Sequence, residues 1–396
     1  MAEFKPDRIL ANIVIKGKVP GPAKDGSAAA IDGIPTLFVG GEFEEVDVKV
    51  RKAWWPEKMA SFTVDKAAVP DALLTGMCDR SFGHVNWFPE MSRFVALYLH
   101  KAINARLAGG TDGKLTRVPF TSGWLTDPVG TTPPGPVATY TGDKKAAFWQ
   151  FDAEMVRAWD PMYHRDLGKK EQMLAFTQNG VIAPWWNGWG VQQIEYQPLA
   201  DGLSFRVQAA FRDEIPKPCS DAGIKLGHAY QDAIQYMVLG LAGATEQTGP
   251  DTFRIRFDRE GFNGRTTHIL IGTMHPGDSE YRATMAAARF DVPPNKGAKQ
   301  TLTFPKINDV KPGVKSIPLN GAADSGLKPD YYVSWGPAVI DGDNLRFTTI
   351  PPSAKFPIQV KVTAYQWGKA TEPKIATALP ITQTFYIQNS TDANTK

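Results

Sequence analysis

Cysteine is nearly missing from this chain: Cys78 and Cys219 are the only two in 396 residues. Two thiols give no disulfide framework and no zinc spacing, and free cysteines of this kind behave as small buried hydrophobes. Histidine is scarce too. The six fall in no H-x-x-x-H or H-E-x-x-H spacing, so no local metal-ligand motif exists. The pairs His228 with Asp232 and His275 with Asp278 sit in loop-like segments, where backbone groups are the simpler partners. No metal and no cofactor are expected. Charge of one sign is also lacking, since 44 Lys and Arg face 41 Asp and Glu for a net charge of +3. A bias this weak excludes an electrostatic case for nucleic acid. No apolar run approaches the ~20 residues of a membrane span. The longest, over 233–244, is interrupted by Gln235 and glycines. The opening MAEFKPDR lacks the apolar stretch of a signal peptide.

What is present is ordinary globular material. Hydrophobic residues make up 42% and charged residues 21%, and the length calls for two or three domains. Residues 9–15, 34–39 and 71–77 read as buried strands. A helix is expected over 45–60 from the spacing of Val46, Val50 and Trp54, and a second over 89–107. Pro89 and Glu90 open that second helix, Phe94, Leu97, Tyr98 and Ile103 share a face, and Gly109-Gly110 close it. Strands alternating with helices imply a parallel sheet. Helical spots are expected over 144–177, with Asp143 as a cap. From 190 onward alternating patterns such as LSFRVQAAF and DTFRIRFDR read as half-buried antiparallel strands. Short strands with turn signals fill 299–388, with the spacing of a small immunoglobulin-type β-sandwich. The expected architecture is therefore multidomain: a partial α/β unit over 1–110, a mainly-β accessory region over 111–298 and a C-terminal Ig-like β-sandwich over 299–390.

Two segments carry possible chemistry. The strand 34–39 runs into GGEFEEVD, and forty residues on, SFGHVNWFPE places His84 just past another strand. An acid followed by a histidine is the back half of the Ser…Asp/Glu…His chain order. Together with AEFKPDRILANIVIKG, these segments resemble the C-terminal third of dienelactone-hydrolase-like and carbohydrate-esterase-like α/β-hydrolases. The resemblance implies that His84 is the general base and Glu44 its orienting acid, with Glu42, Glu45 and Asp47 as alternates. It places Asn86 and Trp87 beside the pocket mouth. The strand–G-x-S-x-G–helix nucleophile motif occurs nowhere in the chain. Ser81, Ser122, Ser220, Ser279 and Cys78 lack its setting. An N-terminal hydrolase half, from the same gene product or a separate chain, is therefore the expected partner. The outer edge of the 9–15 strand is expected to pair with it or to be covered.

The last ~90 residues resemble bacterial immunoglobulin-like repeats of secreted and cell-surface proteins, through QTLTF, SGLKP, GPAVIDGDNLRF and VTAYQ. That resemblance implies a secreted, periplasmic or cell-surface location. The PWWNGWG segment offers Trp185, Trp186 and Trp189 as a carbohydrate-stacking platform or as loop anchors packed on a sheet. The leading expectation is an esterase-type serine hydrolase, with an acylated polysaccharide as a possible substrate. The alternative is a non-catalytic cell-surface or glycan-binding protein, or a subunit of a split hydrolase.

Overall fold

The computed structural model describes residues 6–17, 32–42, 55–81, 83, 89–110, 113–186, 191–217, 219, 221–239, 245–257 and 267–389. The N-terminal part is built on three parallel strands, β1 (Asn12–Ile15), β2 (Thr36–Gly41) and β3 (Leu74–Asp79), side by side in that order. Every residue of β2 and β3 is buried. Their near-continuous apolar sequence is what a parallel sheet covered on both faces requires. β1 is different. Its residues are only partly buried, Ile15 is 47% exposed, and among the described residues no strand pairs with its outer side.

Helix α1 (Trp55–Ala68) precedes β3, and helix α2 (Pro89–Leu107) follows it. α1 runs eight residues beyond the expected end at 60. Phe62, Asp65 and Lys66 keep a buried side, and the helix stops where Pro70 disfavours helical backbone at Val69. α2 has the expected bounds, but its buried row is Met91, Phe94, Tyr98 and Ala102, whereas Ile103 is 38% exposed. Rows three and four residues apart lie on one face, and Ile103 falls beside that row. Near the end of α2 the buried Arg106 donates to the carbonyls of Gly33, Thr116 and Ile9, tying the helix to the entrances of β1 and β2.

The segment expected to hold helical spots over 144–177 contains one helix and two strands. Phe148–Gln150 pairs with Trp124–Thr126, and Leu174–Gln178 pairs with Gln208–Phe211. Between them lies α3 (Ala153–Tyr163), capped by Asp152, whose side chain accepts from the Met155 N–H at 2.9 Å. Asp143 instead closes a turn by accepting from Lys145. Short apolar runs do not distinguish helix from strand by periodicity alone, and here the pairing partners decide. The core around the parallel sheet draws in Phe148, Met155, Trp159 and Tyr163 from beyond residue 110. The Trp159 indole donates to the carbonyl of Gly76 in β3 at 2.7 Å.

The remainder is β-rich. A five-stranded sheet runs Gln235–Val238, Thr267–His275, Thr284–Val292, Val191–Gln193, Trp185–Trp186, and two three-stranded sheets flank its core. That core reaches forward to Tyr365 and Trp367. At the C-terminus, strands Ser316–Pro318, Asn344–Phe347 and Ala338–Asp341 form one sheet, and Asp330–Trp335, Ile358–Tyr365 and Ile381–Ile387 form another. Leu345, Val360, Val362 and Phe385 fill the space between them, which makes this part the expected β-sandwich. No helix among the described residues is long and apolar enough to cross a membrane.

Candidate functional site at the carboxyl edge of the parallel sheet

In an open parallel sheet, ligands gather in the crevice outside the carboxyl ends of the strands. Here that edge is densely charged. β1 delivers Lys16, β2 delivers Glu42, and β3 delivers Asp79, Arg80 and Ser81. Gly41 and Asp79 are partners in the strand register, so the chain leaves β2 and β3 at the same height, on adjacent strands.

Two ion clusters organise the edge. In the first, the Asp79 carboxylate is fully buried, 3.2 Å from the Lys16 ammonium and 3.8 Å from the Arg165 guanidinium. Lys16 also donates to the carbonyl of Gly83, and so holds the loop one residue before His84. In the second, Glu42 accepts from the Ser81 N–H at 2.9 Å, pairs with Arg80 at 3.5 Å and binds Arg282. Arg282 donates through Nε to Ser81 Oγ at 2.9 Å. Arg80 donates to the Tyr163 carbonyl at 3.0 Å and lies over the Tyr163 ring. Arg165 donates to the Arg80 carbonyl at 3.0 Å, which joins the clusters. Ser81 holds a positive φ of 70°, an uncommon backbone for a non-glycine residue.

Arg282 comes from the β-rich region, 240 residues from Glu42. Its own carbonyl receives Gln172 Nε2 at 2.7 Å, and the next N–H, that of Ala283, donates to Asp166 at 2.9 Å. The segment around 275–283 is thus fastened to the edge of the parallel sheet and forms one wall of it. His275 belongs to that wall. Its Nδ1 accepts from the Gly277 N–H at 3.0 Å, and Nε2 lies 2.8 Å from the Tyr230 carbonyl. The donor on Nδ1 leaves the proton of the neutral ring on Nε2. His228 stacks on Phe211 with its Nδ1 against a backbone carbonyl. Among the described residues, no cluster of histidine, cysteine and carboxylate suits a metal ion.

Of the residues singled out from the sequence, His84, Glu44, Glu45, Asp47, Asn86, Trp87 and Trp189 lie outside the described residues, as does Ser220. Glu42 lies within them and is engaged by two guanidiniums and a backbone N–H. Trp185 and Trp186 are half-buried on one short strand, with the Arg212 guanidinium 5.2 Å from the Trp185 ring and that of Arg289 3.9 Å from the Trp186 ring. One face of each ring is therefore covered. Cys78 is fully buried, and burial pushes its thiol well above its ordinary range, the reverse of what a nucleophile needs. Sequence reading missed Lys16, Asp79, Arg165 and Arg282. Strand-end positions were the available signal for the first two, and nothing local marked the others.

No protein-family model matches the chain, and no curated protein matches it. Among solved structures it is similar to protocadherin gamma B2 extracellular cadherin domains 3–6, at 11% identity and a TM-score of 0.19, covering 55% of this chain and 51% of that one. It is also similar to mouse cadherin-23 EC22–24, at 15% identity and a TM-score of 0.17, covering 55% and 64%. Drosophila N-cadherin EC1–4 aligns at 13% identity and a TM-score of 0.18, covering 56% and 50%. The chain thus spans about half to two thirds of these proteins. Superpositions this loose carry no argument about fold or activity.

Proposed function

We propose that residues 6–110 are the back part of an α/β-hydrolase-type serine esterase, and that 299–389 is an immunoglobulin-like domain of a secreted or cell-surface protein. One observation carries the reading. β2 and β3 end in register at the same edge as adjacent parallel strands, the acidic segment follows β2 in sequence, and His84 follows β3 in sequence ahead of α2. An acid and a base that start so close can meet over one reacting atom.

In this reading the sheet continues past β1, whose partly exposed outer side has no partner among the described residues. A serine on the added part attacks an ester carbonyl, His84 takes its proton and returns it to the leaving alcohol, and the acid holds the imidazole tautomer. The engagement of Glu42 with Arg80, Arg282 and Ser81 favours Glu44 as that acid, with Glu45 and Asp47 as alternates. The Lys16 contact to Gly83 then steadies the base. An acylated polysaccharide is the proposed substrate class, by analogy with the appended β domains.

A second reading is a non-catalytic surface protein in which the α/β part is scaffold. The ionic closure of the sheet edge by Arg282 favours it. Ester turnover separates the two. The chain alone is expected not to hydrolyse p-nitrophenyl acetate. A longer product that includes a strand–G-x-S-x-G–helix segment is expected to do so and to lose the activity with His84→Ala. Turnover by the chain alone, lost with His84→Ala, would reveal a nucleophile inside it. Full activity of the longer His84→Ala protein would end the esterase reading.

A further inference from the structure

The C-terminal β-sandwich is more basic than the rest of the chain. Between 299 and 389 there are ten Lys and Arg against six Asp and Glu, in a protein whose total net charge is +3. The cations are not spread evenly. A groove of about 510 Å³ lies between the 310–315 loop and strand Asn344–Phe347, and Lys311, Lys315 and Arg346 line it with no carboxylate among them. Its floor is apolar, with the half-buried Phe347 and Ile350 and the buried Ile387, and the exposed Thr348 and Thr349 add hydroxyls.

The backbone holds these charges together. The Phe347 N–H donates to the Lys315 carbonyl at 2.9 Å, and Ser316 is the register partner of Arg346. Lys315 therefore precedes the register partner of Arg346 by one residue, which brings the two backbone positions to the same end of the groove. Val310 is pinned to strand Ile381–Ile387 by the Val310 N–H to Tyr386 carbonyl bond of 2.9 Å, which fixes the start of the loop that carries Lys311. Neither Lys311 nor Lys315 makes an ion pair among the described residues, and Arg346 has only the exposed Asp341 at 3.7 Å.

We propose that this groove binds an acidic polysaccharide, a polyuronate-type chain with carboxylates along an otherwise hydroxylated polymer. The ligand chemistry follows from the lining. Carboxylates meet the three cations, hydroxyls meet the threonines, and the C–H faces of the sugar rings meet the recessed apolar floor. A chain that engages several cations at once gains where a single small anion, facing solvated charges in an open groove, gains little. A membrane surface fits poorly, because Val314 is the one exposed large apolar side chain of the lining, while Phe347 and Ile350 are half-buried and Ile387 is buried. A nucleic acid fits poorly, because the only ring in the groove is half-buried Phe347, edge-on to Phe385, and bases need exposed stacking faces.

The proposal stands without the hydrolase reading, since its test needs no turnover. Calorimetric titration of the whole chain with polygalacturonate oligosaccharide is expected to show binding that weakens steeply between low and high salt. A neutral glucan oligosaccharide is expected to give none. Lys311→Gln/Lys315→Gln is expected to weaken binding about tenfold, the factor that two exposed ion pairs supply together. Lys299→Gln/Lys369→Gln, which removes the same charge outside the groove, is expected to leave binding unchanged. Both pairs of positions are exposed or partly exposed, and matching circular dichroism spectra establish that the variants fold. No binding of polygalacturonate, or equal weakening by the two variants, would overturn the proposal. So would tighter capture of anionic phospholipid vesicles or single-stranded DNA by the same groove.

Discussion

Replacing Lys16 with methionine tests the buried ion pair that anchors the sheet edge. Methionine keeps most of the apolar stem and deletes the ammonium. In the folded chain the Asp79 side chain has no solvent access, and that ammonium lies 3.2 Å away. At that distance the attraction is about 5 kcal/mol for an effective dielectric of about 20. Two effects reduce the net cost: Lys16 itself no longer has to be desolvated, and Arg165 remains 3.8 Å from Asp79. Stripping one partner from a buried pair typically costs about 3–5 kcal/mol, so Lys16→Met is expected near the lower figure. The assay is urea unfolding followed by tryptophan fluorescence, because Trp55, Trp149 and Trp159 are buried around this sheet. Asp79→Asn in the Lys16→Met background removes the stranded charge and is expected to recover about half of the loss. A Lys16→Met cost below about 1 kcal/mol, with no recovery from Asp79→Asn, would refute the reasoning. It would mean that water or the other cations already carry the carboxylate.

Other consequences are equally direct. The Asp65 side chain is buried in α1, and burial raises its carboxyl from 3.8 to about 6. The folded state therefore resists ionisation. The penalty is complete above about pH 6 and fades as pH falls toward 3.8, so Asp65→Asn is expected to add about 1–2 kcal/mol at pH 7 and nothing at pH 4. Thermal melts across that range read the difference. The neighbouring Lys66 runs the other way: burial lowers its ammonium from 10.5 to about 8, so that penalty is complete below about pH 8 and fades as pH rises. Gly76→Ala is expected to cost about 2 kcal/mol in the same unfolding assay, because a β-carbon there presses into the Phe148 ring.

Much of this protein was legible in its residues. The continuous apolar runs that became β2 and β3 were readable because a sheet covered on both faces leaves no polar side. α2 could be read to the residue because Pro89 and the Gly109-Gly110 pair mark its ends. The sandwich strands after 299 announced themselves by alternation and turn residues. Where the signal was a short apolar run, as at 148–150 and 173–176, helix and strand looked alike, and only the partner strands separated them. The reading of Asp143 as a cap failed for the same reason: the helix starts nine residues later, at Asp152, where α3 packs onto β3.

The sequence by itself determined which segments are apolar enough to be core, where the chain must turn, and the order along the chain of an acidic segment and then a histidine. These are local properties, set by backbone preference and spacing along the chain. Tertiary structure alone decided that Lys16 would neutralise Asp79, that Arg282 would cross 240 residues of chain to engage Glu42, and that Lys311, Lys315 and Arg346 would share one groove. Those pairings depend on how the strands fold past one another. Charge acts through space over a few ångströms, and no spacing in the sequence records that distance.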